Sequence, residues 1–391
     1  MKIDPEEALG IDTLLQHLGE DTRHEGAIAP AIFQTANFLF DSIDAWQSTT
    51  ANPSGPPYVY SRVANPTIEM AQRKVAVLEG AEACKLTGSG MGAISAVILG
   101  HTAQGAHVVT VDTCYSPLRI LLEEYLPRFG VSHSYVSGLC ADEVIDAFRP
   151  ETTVVYLESP STMVFRLQDI RRIAKAAREK GIVCAVDNTC GTPLFQQPLA
   201  IGAEYALHSG SKYFGGHSDL TAGAICGPAK ALDKILKYEI NLLGSIIAPF
   251  PAWLLARGLR TLPLRLRRIE ATANEVAGWL SGRAEVDVVH HASLPSYPQR
   301  ELFLSQMTGS SGLFSFEPRV QDEPKIKAFC EALRLFKIGV SWGGHESLVV
   351  MAEVQPLGYA QKRWVVRLSI GLEDAQDLIA DLAQAMEVSG L

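Results

Sequence analysis

The sequence contains no run of about 18 apolar residues, so none of its helices is expected to span a bilayer. Met1 to Gly10 is acidic rather than basic and no long apolar stretch follows, which argues against a secretory leader. The seven cysteines, Cys84, Cys114, Cys140, Cys184, Cys190, Cys226 and Cys330, form no C-x-x-C pair and no zinc-like Cys/His spacing. Several lie inside apolar runs, the usual place of a small core residue. Positive charge is in deficit: 34 Lys and Arg against 43 Asp and Glu leave a net charge of −9. A nucleic-acid surface needs clustered cations and is not expected. Five arginines gather between Arg257 and Arg268 without aromatic interleaving, and they read as a surface or subunit-contact segment. The expectation is a reduced, cytoplasmic protein with no metal, membrane or nucleic-acid partner.

What is present is a globular composition, 47% apolar and 20% charged over 391 residues, long enough for one large domain and a smaller one. Residues 1–62 read as an arm, a short helical start and then a loop, with Asn52-Pro53-Ser54-Gly55-Pro56-Pro57 too proline-rich for regular structure. In 63–250, the short β-branched runs Ala106–Val111, Thr153–Leu157 and Ile182–Val186 alternate with amphipathic stretches. Such runs fit strands buried on both faces of a parallel sheet. Between them, Asp169–Lys180 carries Ile170, Ile173, Ala174 and Ala177 at helical spacing, and Gly181 stops it. In 251–391 the texture changes: a helical stretch Leu254–Trp279 interrupted near Pro263, strands at Gly312–Phe316 and Trp364–Ile370, helices at Lys325–Leu333 and from Asp374. This predicts an α/β domain followed by a smaller α+β one.

Chemistry concentrates in His208-Ser209-Gly210-Ser211-Lys212. A lysine amine can condense with a carbonyl, and Ser209 and Ser211 are neutral donors suited to a phosphate on the same molecule. Asp187 ends the apolar run Ile182–Val186, so it emerges at the carboxyl edge of a buried strand, where open α/β sheets bind ligands. A carboxylate there can hold a pyridine nitrogen protonated. Thr87-Gly88-Ser89-Gly90-Met91-Gly92-Ala93 is a glycine-rich turn opening a helix, whose free amides favour an anion. Gly88, Gly90 and Ala93 also match a dinucleotide fingerprint, with Asp112 at the spacing it requires. Against that reading, Ala83–Leu86 is a short and poor strand, and Lys212 with its serines would go unexplained. Tyr115 could stack on a flat ring. Tyr60 and Arg62, two apart in extended chain, point the same way, and Arg suits a phosphate dianion.

Together these segments resemble the cysteine and methionine metabolism family of pyridoxal-phosphate enzymes, of fold type I. The resemblance rests on Tyr60-Ser61-Arg62 with Asn65-Pro66-Thr67, Leu78-Glu79-Gly80, Ser89-Gly90-Met91, Val186-Asp187-Asn188-Thr189, Ser209–Lys212 with Gly215-Gly216-His217-Ser218-Asp219, and Arg257–Leu262. It implies an aspartate-aminotransferase-like α/β fold and pyridoxal 5′-phosphate held as a Schiff base on Lys212. It further implies that Asp187 pairs with the pyridinium, that Tyr115 stacks on the ring, and that Lys212, Tyr115 and Asp187 are catalytic. Gly90, Met91, Ser209 and Ser211 would bind the phosphate, with Tyr60 and Arg62 completing that of an adjacent subunit in a homotetramer.

Within the family, the C-terminal third looks most like bacterial cystathionine β-lyases, through Thr308–Phe316, Ser341-Trp342-Gly343-Gly344 and Arg367–Asp374. Glu158-Ser159-Pro160-Ser161-Thr162-Met163 also lacks the S-N-P common in γ-acting members. The likeness implies that Arg367 binds a substrate α-carboxylate with Ser341 and Trp342 lining the pocket, and that L-cystathionine is cleaved to homocysteine, pyruvate and ammonia. Two features depart from that pattern: His345 stands where Tyr is expected, and Tyr60–Thr67 is closer to γ-lyases and synthases. They keep γ-elimination as the alternative.

Overall fold

The computed structural model describes residues 9–20, 24–51 and 56–391. Met1 to Ala8 and Asn52 to Gly55, parts of the expected arm and its proline-rich stretch, lie outside them. The arm holds two helices, α1 (Ile11–His17) and α2 (Ile43–Ala51). The second was not anticipated from composition; the Ser42 hydroxyl accepts the Ala45 N–H at 3.1 Å and starts it as an N-cap does.

A seven-stranded sheet forms the centre. Its strands are β1 (Ala83–Thr87), β2 (His107–Val111), β3 (Ser132–Val136), β4 (Thr152–Glu158), β5 (Val183–Asp187), β6 (Tyr205–Ser209) and β7 (Gly223–Gly227), in the spatial order β1-β7-β6-β5-β4-β2-β3. From β3 to β6 all pairings are parallel, while β7 runs antiparallel to both β6 and β1. The predicted apolar runs are these parallel strands. Val108, Val109, Val154, Val155, Ala185 and Val186 are all fully buried, as a sheet covered on both faces requires. Helix Ile170–Glu179 shows how the cover attaches: Asp169 caps it by accepting the Arg172 N–H, and Ile170, Ile173, Ala174 and Ala177 are its buried face.

The topology disposes of the dinucleotide reading. That fingerprint joins neighbouring parallel strands through one helix. Here β1 is an edge strand whose single neighbour is the antiparallel β7, and β7, β6, β5 and β4 separate it from β2. Asp112 is engaged as well: its carboxylate accepts the Leu357 N–H and lies 3.7 Å from Arg166.

The second sheet comprises β8 (Val286–His290), β9 (Leu313–Pro318), β10 (Lys337–Ile338), β11 (Leu348–Val354) and β12 (Arg363–Ser369), ordered β10-β11-β12-β9-β8 and antiparallel except for β10 with β11. The stretch expected to break near Pro263 is two helices, Pro249–Leu259 and Leu262–Ser281, and the proline sits in the first turn of the second, where its missing N–H costs nothing. The surface reading of the arginine cluster needs correcting at one position. Arg265 is buried, because its guanidinium donates to the carbonyls of Tyr213 and Gly258, each at 2.8 Å.

Candidate active site

Parallel strands deliver their carboxyl ends to one edge of a sheet. Because β1 is antiparallel to β7, itself antiparallel to β6, the end of β1 falls on that edge too. The edge therefore collects the Ser89 turn after β1, the Tyr115 turn after β2, Glu158 ending β4, Asp187 ending β5 and Ser209 ending β6. Sequence spacing alone would leave these residues scattered over more than a hundred positions.

Helix α3 (Pro66–Glu79) leads into β1, and helix α4 (Gly90–Gly100) leaves from it. Ser89 caps α4 by accepting the Gly92 N–H at 3.0 Å, so the amides of Gly90 and Met91 are the ones in the first turn without an intrahelical acceptor. Gly90 lies close to β6: a Cβ on it would lie 2.8 Å from the Ser209 Cβ and 3.0 Å from its hydroxyl. A helix first turn with free amides thus adjoins a serine hydroxyl, a donor set suited to a phosphate. The Ser211 hydroxyl is engaged elsewhere, accepting the Ala222 N–H at 3.0 Å, which ties the Lys212 turn to the approach of β7.

Asp187 is held by the Tyr156 hydroxyl, which donates to it at 3.0 Å, and by the N–H of Thr189, also at 3.0 Å. The Thr189 hydroxyl accepts the Ser209 N–H at 2.8 Å, linking the ends of β5 and β6. Beyond that turn the Lys212 amine donates to the Ser341 hydroxyl at 2.7 Å and lies 5.4 Å from the centre of the Trp342 ring. Burial and the nearby Arg367 cation depress the Lys212 pKa, partly opposed by Asp187, so a neutral, nucleophilic amine is favoured. Gly343, at φ +82°, lets its loop lie on the turn: a Cβ there would come within 2.9 Å of the Tyr213 nitrogen. Arg367 donates to the carbonyls of Val340 and Ser341, and its Nε is buried without a hydrogen-bond partner. That orphan donor is available to an incoming carboxylate.

Tyr115 leaves the β2 turn half exposed, with its hydroxyl pKa raised by burial and then by the Asp187 charge. Tyr60 and Arg62 stand apart from this group. They pack on each other, 5.5 Å from guanidinium carbon to ring centre, on the exposed arm, and no hydrogen bond joins them to Lys212, Asp187 or Ser209. His345 is exposed and pairs with Glu346 at 3.1 Å.

An amine-bearing lysine, a strand-end carboxylate and a phosphate-type turn on one edge fit an aldehyde cofactor with a pyridine nitrogen. The family defined as Cys/Met metabolism PLP-dependent enzymes matches residues 12–387. The chain belongs to this family. Pyridoxal 5′-phosphate is therefore its cofactor, and the donor set above is chemically matched to it. Among other members, an L-methionine gamma-lyase of Pseudomonas putida is 35% identical over 97% of this chain and 98% of its own. A cystathionine beta-lyase of Lactococcus lactis subsp. cremoris is 33% identical over 96% and 99%. The crystal structure of metB from Corynebacterium glutamicum superposes with a TM-score of 0.90 at 32% identity, over 98% of this chain and 99% of that one. The fold is thus that of a fold type I enzyme of the family, and members with such similar sequences bear the names of different reactions.

Three residues tied by hydrogen bonds to the candidate site escaped sequence reasoning. Glu158 accepts the Tyr115 N–H, Tyr156 donates to Asp187, and Arg265 braces the Lys212 turn. Glu158 carried the same signal as Asp187, an acid closing an apolar run, whereas the other two reach the site only through tertiary packing.

Proposed function

We propose that the chain is a carbon–sulfur lyase that eliminates the β-thioether group of an L-amino acid, converting L-cystathionine and water to homocysteine, pyruvate and ammonia. The observation that carries this reading is the Lys212 amine held at 2.7 Å by Ser341, in the cleft where Arg367 has a buried, unpartnered Nε. Arg367 takes the substrate α-carboxylate through its unpartnered Nε–H and its charge. Lys212 would hold the cofactor aldehyde, and its free amine would take the substrate Cα proton. Burial and Arg367 lower its pKa, which favours the neutral amine that task needs. Asp187, oriented by Tyr156 and Thr189, would pair with the pyridine nitrogen. Tyr115 would stack on the ring, and the Gly90 and Met91 amides with Ser209 would receive the phosphate, joined by Ser211 once its hydroxyl turns from the Ala222 backbone. When bound, pyridoxal phosphate supplies an electron sink for the charge left at Cα. The Cβ–S bond then breaks, and the thiolate takes a proton.

The β reading follows the likeness of Ser341-Trp342-Gly343-Gly344 to bacterial cystathionine β-lyases; Trp342 packs on Tyr213 at 5.5 Å and lies beneath the Lys212 amine. The γ route needs a second removal, at Cβ. It is kept as a second reading because the relative named L-methionine gamma-lyase is as similar as those named for β-elimination. Residues 1–62 are read as an arm to a neighbouring subunit, where Tyr60 and Arg62 reach the phosphate of its 63–250 domain. The bare apolar side chains Leu39, Leu242 and Leu243 support assembly into a homotetramer.

Product analysis by mass spectrometry after incubation with L-cystathionine tests the proposal. Homocysteine with pyruvate, absent in Lys212→Ala, supports it. Cysteine with 2-oxobutyrate overturns it in favour of the γ route.

A further inference from the structure

Glu158 ends β4 as Asp187 ends β5, and the two are register partners on adjacent parallel strands. Such partners project to the same face from backbones about 4.8 Å apart, so two carboxyls leave the sheet edge side by side. Each has its own donors. Asp187 is served by Tyr156 and Thr189, whereas Glu158 accepts the Tyr115 N–H and the Thr162 hydroxyl, both at 2.6 Å. The Thr162 N–H in turn donates to the Thr113 carbonyl at 2.9 Å. One buried carboxyl thus ties the loop after β4 to the turn that presents Tyr115. This clamp has no part in the elimination described above.

We propose that Glu158 is a positioning residue of the cofactor site, which fixes the Tyr115 turn and acts as a second carboxyl beside Asp187 that ionises when the cationic ring binds. This rests on the roles given to Asp187 and Tyr115 above. The titratable groups facing Glu158 are Asp187, Cys114, Tyr115, Tyr156 and Cys190, and each adds either no charge or a negative one. In the free protein, burial and then the Asp187 charge lift the Glu158 pKa to about 8. Burial and the Asp187 charge therefore favour the protonated carboxyl before a cation binds.

The sign follows from linkage. The ionised form binds a cation more tightly, so binding releases the Glu158 proton. Affinity gains up to about tenfold per pH unit from this group as pH rises toward the Glu158 value, and levels off above it. Glu158→Gln keeps an acceptor for the Tyr115 N–H but cannot titrate, and Glu158→Leu removes the clamp.

The experiment measures the dissociation constant of pyridoxamine 5′-phosphate, which cannot condense with Lys212, by tryptophan fluorescence from about pH 6 to 9. Titrations of the ligand itself cancel in the ratio of Glu158→Gln to wild type. That ratio is expected to rise with pH toward 8, and Glu158→Leu to bind more weakly throughout with an altered ligand spectrum. A flat ratio with binding intact overturns the proposal and leaves the site reading standing. Absence of binding by the wild-type protein overturns both.

Discussion

The Lys212 amine and the Ser341 hydroxyl meet at 2.7 Å across 129 positions of sequence. The contact joins the turn after β6 to the loop before β11, so the amine is aimed by the C-terminal sheet although it is anchored on the central one. In the proposed function, cofactor chemistry and substrate recognition are coupled at that point, because the carbonyl of Ser341 also receives Arg367.

Removing the acceptor should misdirect the amine without abolishing it. Ser341→Ala is expected to lower kcat by roughly two- to tenfold, the worth of one net hydrogen bond, with little change in cofactor content. Steady-state kinetics alongside the visible absorbance of the bound cofactor separate the two effects.

The electrostatics of Lys212 predict opposite shifts for two substitutions. Capture of pyridoxal phosphate needs the neutral amine, so its rate rises with pH through the Lys212 pKa, which Arg367 lowers and Asp187 raises. Arg367→Met should move the rising limb to higher pH, and Asp187→Asn should move it to lower pH. Stopped-flow absorbance at a series of pH values reads both. A shift of Arg367→Met in the other direction would remove the electrostatic account.

Arg367→Met should also raise KM for the amino-acid substrate by roughly ten- to hundredfold, the loss of a charge-assisted pair to the α-carboxylate. An analogue without that carboxylate should lose nothing further in the variant, which competition kinetics can check.

Gly223 is held by contact rather than by conformation. A Cβ there would fall 2.2 Å from the Ser89 carbonyl oxygen, a backbone atom that cannot swing aside. Gly223→Ala is expected to cost about 1–3 kcal/mol of stability and to push the α4 turn off β7, weakening phosphate binding. Urea denaturation and cofactor titration measure the two consequences.

The brace on the Lys212 turn makes a further prediction. Arg265→Met leaves the carbonyls of Tyr213 and Gly258 without these donors, at about 1–3 kcal/mol for each one left unpaired. Cofactor affinity should fall along with stability, because the carbonyl of Tyr213 directly follows Lys212. Arg265→Lys, with one compact ammonium in place of a fork, should recover only part of the loss.

Much of this was readable before folding. The runs at 106–111, 153–157 and 182–186 announced buried parallel strands, since only a sheet covered on both faces tolerates uninterrupted apolar, β-branched side chains. Asp187 was readable as a strand-end acid, and the Ser89 turn as the start of a helix. Arg265 was misread, because a cluster of arginines on a helix says nothing about which one turns inward to unpaired carbonyls. Helix α2 was missed, since its apolar pattern is weak and a single serine cap starts it.

The sequence by itself determined the strand and helix menu, the residues that end the strands and the family to which they belong, because these follow from local periodicity and ordered motifs. Only the tertiary structure decided that Lys212 faces Ser341, that Glu158 stands beside Asp187, and that Arg265 supports the Lys212 turn. Those relations depend on strand order and on the packing of two sheets, and no local pattern encodes which distant segments become neighbours.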